Sequence, residues 1–517
     1  MKGRRPMPDS VRKQPRPAAS PAVLAIDIGT SSSRAAIHNR RGNRLAATIA
    51  QFAYPLQSGA DGRAELDPAV IAKAVQRAVE HSLAAGNGRK GTPLAGIGIS
   101  CFWHSMLGLD GKGRPLTPIY TWADSRCRKE AAELRRGGGE MVLHRRTGCM
   151  ARTSFWPARL LWLRRTDRPL FARVARWVSP AEWLQEQWCG RATVSLSMAS
   201  GTGLLDARIL QWDRSLLKKC GLSPTQLNPL SDEPLPLSAT MARRFPRLGG
   251  ARWFPAIGDG AASNLGSGAT VPGLAAINVG TSAALRIVID EGTKVAPKAR
   301  AIPTPFGLFG YRIDSRRRLV GGAVSNAGNL RAWALRELKV PSEAALEKAL
   351  TARPLPVPGL TILPFWTAER APTWPEDLAS LVLGITQATT ATDLLQTLQE
   401  ATYHRLAAIA ERVEKVARIP GGRLIFIVSG GISHSPDSLQ RLADVLGRPV
   451  RASAEPEASL RGAALFALER LGLAPAHPSA GRLIRPRTAP ARAHAAVRRR
   501  QERLEEFCRK WADSEPS

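Results

Sequence analysis

Two stretches of the chain share one design, and that repetition constrains the fold more than any other feature. Val23-Leu-Ala-Ile-Asp-Ile-Gly-Thr-Ser-Ser-Ser-Arg34 is an apolar run entering a Gly/Thr/Ser turn, followed by Ala35-Ala-Ile37. Ala275-Ala-Ile-Asn-Val-Gly-Thr-Ser-Ala-Ala-Leu285 repeats it in the second half. The spacing, about 250 residues, is the size at which one hydrophobic core stops growing and chains divide. Each stretch predicts strand, tight turn, strand: a β-hairpin whose tip offers backbone N–H groups and hydroxyls. One such hairpin reads equally well as an ordinary polar turn, because short motifs often match by chance. Two, one per half, point to a duplicated fold with a phosphate held between the halves.

The rest of the pattern is α/β. Residues 67–85 place Val70, Ile71, Ala74, Val75, Ala78 and Val79 at helical spacing behind Pro68. Ile97-Gly-Ile-Ser100 predicts a short strand leading into Cys101-Phe-Trp-His-Ser105. Tryptophan-rich helices are predicted at 156–163 and 181–188, and further helices at 342–350 and 393–416. A strand at 424–428 enters Ser429-Gly-Gly-Ile432 and then a helix at 436–446. The division is an N-terminal domain at 22–270 and a C-terminal domain at 271–472. They are flanked by a basic leader at 1–21 and a Pro/Ala/Arg-rich tail at 473–517. Within the tail, 475–490 reads as a linker or surface strap and 498–511 as a final charged helix.

Charge and composition narrow the function classes. The formal net charge is +32, and such a surface attracts nucleic acid non-specifically at low salt. The excess is spread along the chain, with local concentrations at Arg4, Arg5, Arg12, Lys13 and Arg16 and at Arg498, Arg499 and Arg500. No recognition-helix, zinc-finger or RRM pattern accompanies it, so no specific nucleic-acid partner is expected. The longest apolar runs are strand-length, too short to span a membrane. The leader lacks the apolar region of a signal peptide; it is read as disordered and the protein as cytoplasmic. Six scattered cysteines without a CxxC pair argue against structural zinc and a disulfide framework, and for reduced, buried thiols.

Phosphoryl transfer requires a backbone cradle for phosphate, a metal ion and a base at the acceptor hydroxyl. Asp27 opens the first glycine turn, where a carboxylate at a strand end can hold hydrated Mg²⁺ beside phosphate oxygens. Gly29 allows close approach of the chain, and Thr30, Ser31 and Ser32 supply hydroxyls. Gly258-Asp259-Gly260-Ala261 follows Phe254-Pro-Ala-Ile257, and glycines on both sides give the carboxylate the access a general base needs. A plain Asp-Gly turn is the alternative for that segment.

Taken in order, Asp27-Ile-Gly-Thr-Ser31, Gly258-Asp259-Gly260, Asn278-Val-Gly-Thr-Ser282, Gly321-Gly322 and Ser429-Gly-Gly431 resemble the FGGY carbohydrate kinases. Ala64-Glu-Leu-Asp-Pro68, Thr121-Trp-Ala-Asp-Ser-Arg126, Glu369-Arg-Ala-Pro-Thr-Trp374 and Glu457-Ala-Ser-Leu-Arg-Gly-Ala463 extend the resemblance over residues 22–470. It implies two actin-like (ribonuclease H-like) α/β lobes with a nucleotide and sugar cleft between them, using ATP and Mg²⁺. By the same resemblance Asp259 is the catalytic base and shares the metal with Asp27. Gly29, Thr30, Ser31 and Ser32, with Gly280 and Thr281, face the transferring phosphate. Gly321, Ser325, Asn329, Gly430, Gly431 and Ser435 line the nucleotide pocket, and Trp103, His104, Asp124 and Arg126 contact the sugar. The sequence departs from the family at Arg159, where relatives carry lysine, at Trp156, and at Thr397 and Gln399.

Within the family, His104-Ser105, the Thr121–Arg126 segment and Glu369-Arg-Ala-Pro resemble gluconate kinases, with xylulose kinases next. A sugar acid suits a basic site, where Arg126 or Arg128 can pair its carboxylate in bidentate fashion. D-Gluconate to 6-phosphogluconate is therefore the first expectation and a pentulose the second. A reading of another class is a catalytically silent sugar sensor or nucleic-acid-binding regulator; a sensor has no need of Asp259. A homodimer is compatible with the sequence.

Overall fold

The computed structural model describes residues 21–86, 94–292, 303–353, 355–419, 423–476, 478 and 480–514. The expected leader, apart from its last residue, lies outside them. Ala22–Ile28 buries all seven of its side chains, as a strand covered on both faces must. It pairs antiparallel with Ser32–His38 and parallel with Leu94–Cys101. Arg252–Trp253 and Ile257–Gly258 add in parallel to the far side of Leu94–Cys101, and Ala50–Ala53 pairs with the hairpin's return strand. The second sheet repeats the arrangement. Leu274–Val279 runs antiparallel to Ala283–Asp290 and parallel to Ile425–Gly430. Arg317–Val324 and Phe309–Arg312 extend it on the hairpin side, and Val450–Ser453 and Ala480–Ile484 on the other. What is duplicated is thus a hairpin plus a parallel third strand, in the actin-like two-lobed α/β architecture.

Helices cover these sheets for reasons visible in their ends and faces. Asp67 caps Pro68–Ala85 by accepting from the Ala69 amide, and the helix buries Ile71, Val75, Ala78 and Val79. Thr390 and Asp393 form a capping box that starts the 27-residue helix Ala391–Ala417, whose Leu406, Ile409 and Val413 join the core of the second sheet. The two halves meet through helices Asp259–Ser267 and Ala458–Arg470, which cross almost backbone to backbone. A β-carbon on Gly266 would stand 1.8 Å from the Ala458 carbonyl oxygen, and one on Gly462 would stand 1.8 Å from that of Ala262. Although it comes from the second half, Ala458–Arg470 lies on the first sheet: Leu460, Ala463, Ala464 and Ala467 pack with Val23, Ala25 and Phe254.

The tail departs from the sequence expectation. Residues 475–490 are not simply a strap, because Ala480–Ile484 joins the edge of the second sheet beside Val450–Ser453. The final helix runs Thr488–Ser514, ten residues longer at its start than expected. Pro490 hid that start, yet a proline in a first turn forfeits no hydrogen bond. The helix docks on Ala391–Ala417. His404 pairs with Gln501 at 3.0 Å and with His494 at 3.3 Å. Arg405 donates to Glu505 at 2.8 Å and to the Ala371 carbonyl at 3.0 Å. The six cysteines are all unpaired, as expected. Among the described residues, no helix is long and apolar enough to cross a membrane.

Two outcomes follow from this packing. Gly462→Ala inserts a methyl where two helix backbones touch, and should destabilise the fold by about 1–3 kcal/mol, the usual cost of overpacking; a denaturant midpoint equal to wild type would refute the close crossing. Burial lowers the pKa of His404 to about 3 and of His494 to about 4. The unfolded chain, with histidine near about 6.5, takes up protons first as pH falls. The stability these residues contribute is therefore complete above that value and is lost on acidification towards pH 4. Amide exchange should show helix Thr488–Ser514 loosening across that window, and protection constant from pH 7 to 4 would contradict the assignment.

Candidate active site

The register of the first sheet brings the site together. Ile28, Cys101 and Gly258 stand side by side at the carboxyl ends of three parallel strands, the position from which open α/β sheets bind ligands. Asp27 precedes this row and Asp259 follows it, so two carboxylates meet above the strand ends. Burial raises the Asp27 carboxyl to about 6, with the nearby Asp259 charge adding to the effect and Arg34 opposing it. Arg34, opposite Asp27 on the hairpin, is held by Glu457 at 2.5 Å. Asp259 is the first residue of its helix, where the helix dipole favours a carboxylate, and one oxygen accepts from the Gly260 amide at 2.8 Å. Its carboxyl is nevertheless raised by burial, against the pull of Arg286. Among the described residues no cation comes within ion-pair distance of it.

Trp103 forms the wall beside Asp259. Its indole lies against bare backbone, since a β-carbon on Gly258 would stand 1.8 Å from it and one on Gly201 would stand 2.3 Å away. The indole N–H donates to the Ser197 carbonyl at 3.1 Å. His104 follows with a left-handed φ of 68°, unusual for a residue with a β-carbon and a mark of functional sites. Its Nδ1 meets the Gly201 carbonyl at 2.5 Å, and burial lowers its pKa to about 4, so the ring is neutral. Arg159, fully buried, donates to the carbonyls of His104, Tyr120, Thr121 and Thr153. The departure from lysine thus ties four loop carbonyls together, which a single ammonium with three donors could not do.

Each hairpin tip is closed by a backbone hydrogen bond of its own glycine. Gly29 closes the first turn by donating to the Ser32 carbonyl at 2.9 Å, and Thr30 accepts from the Trp122 indole at 3.2 Å. Ser31 is exposed at the tip, whereas Ser32 is buried and accepts from Gln51. In the second lobe Gly280 and Thr281 are exposed, and their carbonyls receive the Gly328 and Asn329 amides. Asn329 in turn accepts from the Ala327 amide at 2.7 Å. Gly430 turns with a φ of 91°, and Gly431 has open space where a β-carbon would be. Ser325 accepts from Arg370 at 3.1 Å, and Ser435 caps the helix Pro436–Leu446 while donating to Glu347.

Three expected site residues stand elsewhere or are already engaged. Gly321 is buried inside strand Arg317–Val324, opposite Arg286, where a β-carbon would strike the Leu285 carbonyl at 2.1 Å. Asp124 is fully buried, accepting from the Ala64 amide and paired with Arg126 at 2.6 Å. Arg126 is also paired with Glu65 and stacked on Trp162. Both of its charge contacts are satisfied within the protein, so it is not the free cation a substrate carboxylate would need. Arg128 is exposed beside Ser125. Conversely, Trp122, Arg286, Tyr311 and Arg370 line the cleft unforeseen. Tyr311 packs on Trp103 at 4.7 Å and His104 at 5.4 Å, and Arg370 lies over Trp122 at 5.7 Å. Arg286 had one legible signal, a lone charge within the apolar strand Ala283-Ala-Leu-Arg-Ile-Val288.

Two lobes with matching glycine-turn hairpins and a recessed aspartate between them define a carbohydrate kinase. The chain belongs to the FGGY family: the N-terminal domain of these carbohydrate kinases matches residues 22–243 and the C-terminal domain residues 275–469. It is 24% identical to the gluconokinase of Bacillus subtilis (strain 168) over 469 residues, covering 87% of this chain and 88% of that protein. The gluconate kinase structure from Lactobacillus acidophilus superposes with a TM-score of 0.85 at 24% identity, covering 94% of this chain and 98% of that one. The ligand-bound xylulose kinase from the same organism gives 0.84 at 23%, with the same coverage. At these identities the structures share the fold.

Gly258→Ala should push the Trp103 indole off the strand end and shift Asp259 with it. A displacement of that size costs about 10²-fold in turnover, and circular dichroism should show the fold retained. Unchanged kcat would show that the indole and Asp259 are not mechanically linked.

Proposed function

We propose that this kinase transfers the terminal phosphoryl group of ATP to a hydroxyl of a sugar acid, with D-gluconate to 6-phosphogluconate as the first choice. The observation that carries the reading is Asp259: a recessed carboxylate, without an ion pair among the described residues, at the carboxyl end of the parallel strands and flanked by glycine. Burial raises its pKa, which makes it a better proton acceptor than an ordinary carboxylate. In this reading Asp259 takes the proton of the acceptor hydroxyl as the O–P bond forms. Trp103 and His104 hold the sugar against it, and the neutral His104 ring offers a hydrogen bond without repelling a cationic site. Gly29, Thr30 and Ser31 meet the phosphates from one lobe, and Gly280 and Thr281 from the other. Gly430 and Gly431 give the nucleotide an approach free of side chains.

Asp27 and Asp259 fit Mg²⁺, an ion usually bound by one or two carboxylates together with phosphate oxygens and water. The donors are oxygen only, and among the described residues no group of three or more His, Cys, Asp or Glu forms a closed cage. When bound, the ion neutralises charge on the phosphates. The desolvated Asp27 carboxyl is a group that gains from a cation beside it.

Coupled ADP release across gluconate, xylulose, glycerol and other sugars tests the acceptor, and Asp259→Asn tests the base. The variant should lose about 10²–10⁴-fold in kcat while still binding a non-hydrolysable ATP analogue. Retention of more than about a tenth of wild-type turnover, well outside that range, would remove Asp259 from the role. No turnover on any acceptor would favour the silent sensor.

A further inference from the structure

Arg286, near the Asp259 helix, has no ion pair among the described residues. It sits mid-strand in Ala283–Asp290, with its Nε 2.8 Å from where a β-carbon on Gly260 would be, next to Trp103. That Nε is buried and has no hydrogen-bond partner among the described residues. Its cross-strand neighbour on the same face is Gly321, where a β-carbon would strike the Leu285 carbonyl, so no side chain stands beside Arg286 at that position. Asn264, one turn along the Asp259 helix, donates to the Arg286 carbonyl at 3.3 Å, and this fixes the strand to the helix that carries the base. Arg370 approaches from the loop after Thr367. Its Nε and one Nη are engaged by Ser325 and the Val324 carbonyl, and its guanidinium lies over the Trp122 ring. Glu369 does not neutralise it by an ion pair; that carboxylate accepts from the Ser325, Arg370 and Asn326 N–H groups.

A half-buried guanidinium whose Nε is shut from water without a partner among the described residues is costly unless a ligand completes it. Asp259 is the nearby carboxylate, but it stands outside ion-pair distance and is occupied by its own helix amide. Arg286 and Arg370 lie close enough to feel each other's charge, both are near Tyr311, which packs on Trp103, and of the two it is Arg286 that is near Asp259. The missing charge is a single anion, and a planar carboxylate matches the fork of an arginine.

We propose that Arg286, supported by Arg370, binds the carboxylate of an open-chain sugar acid and makes the acceptor site selective for aldonates over neutral polyols and ketoses. This rests on the kinase reading above and deepens it, moving the role of carboxylate partner from Arg126 to Arg286. The competing role for Arg286, stabilising the transferring phosphoryl group, would affect every acceptor alike.

The test compares gluconate with gluconamide, its uncharged isostere, by calorimetric titration in the presence of ADP. Wild-type protein should bind gluconate more tightly. Arg286→Gln should reduce that preference at least about 30-fold, the scale for losing one partner of a buried charge pair, and Arg286→Lys should restore part of it. Arg370→Gln gives a second variant should Arg286→Gln fail to fold, with a smaller loss in the same direction. Equal affinity of wild type for acid and amide, or equal losses for both in Arg286→Gln, would overturn the proposal. Turnover measured alongside keeps the two readings apart. Selective gluconate binding without phosphorylation supports this site and contradicts the kinase reading. Phosphorylation of neutral acceptors without a preference for gluconate does the reverse.

Discussion

Much of this structure depends on keeping one carboxylate, that of Asp259, recessed from water without giving it a counter-ion. Burial raises its pKa, while the start of its helix and the Gly260 amide keep the charged form accessible. The balance requires the carboxylate to sit where a strand becomes a helix, because only there do backbone donors replace a cation. It also requires that nothing bulky fill the space around it. Gly258, Gly260 and Gly201 meet that condition by letting Trp103 and Arg286 come against bare backbone.

The same need for close approach explains how the halves are joined. Helix Asp259–Ser267 touches Ala458–Arg470 through Gly266 and Gly462 and reaches the second sheet through Asn264 and Arg286. Asp259, the proposed base, is thereby fixed to both lobes, not hung from one. Lateral support comes from the tail, which lies beyond the family's matched domains. Glu505 on the final helix holds Arg405, and Arg405 holds the carbonyls of the loop that carries Arg370. The expected final charged helix thus supports the loop of Arg370 from behind.

Legibility in the sequence followed the locality of each signal. The two hairpins, the strand–glycine–helix unit at Ile425–Leu446 and the Gly258-Asp259-Gly260 segment were legible because turn chemistry acts over three or four residues. Asp27 and Asp259 could be picked out, but their meeting depends on parallel register between strands some 230 residues apart in sequence, which only the assembled sheet displays. Asp124 and Arg126 lie in a segment of the right chemistry, and their mutual pairing cannot be read from order alone. Arg286 offered only its place as a lone charge in an apolar strand, because its lack of an ion pair among the described residues shows only in the assembled fold. Trp122 and Arg370 lay within legible motifs, but their facing the cleft is a product of loop geometry.

In the proposed function phosphate is the link between lobes, held by the Thr30 tip on one side and the Thr281 tip on the other. Ligands that favour the approached arrangement must then strengthen each other's binding reciprocally, by about 1–3 kcal/mol in typical coupled sites. The direct measurement is calorimetric titration of a non-hydrolysable ATP analogue, with and without a saturating acceptor that the enzyme is shown to phosphorylate. The account predicts tighter nucleotide binding with acceptor present, about 5- to 150-fold for coupling of that size. Identical affinities in the two titrations would contradict it and leave a rigid cleft with independent sites.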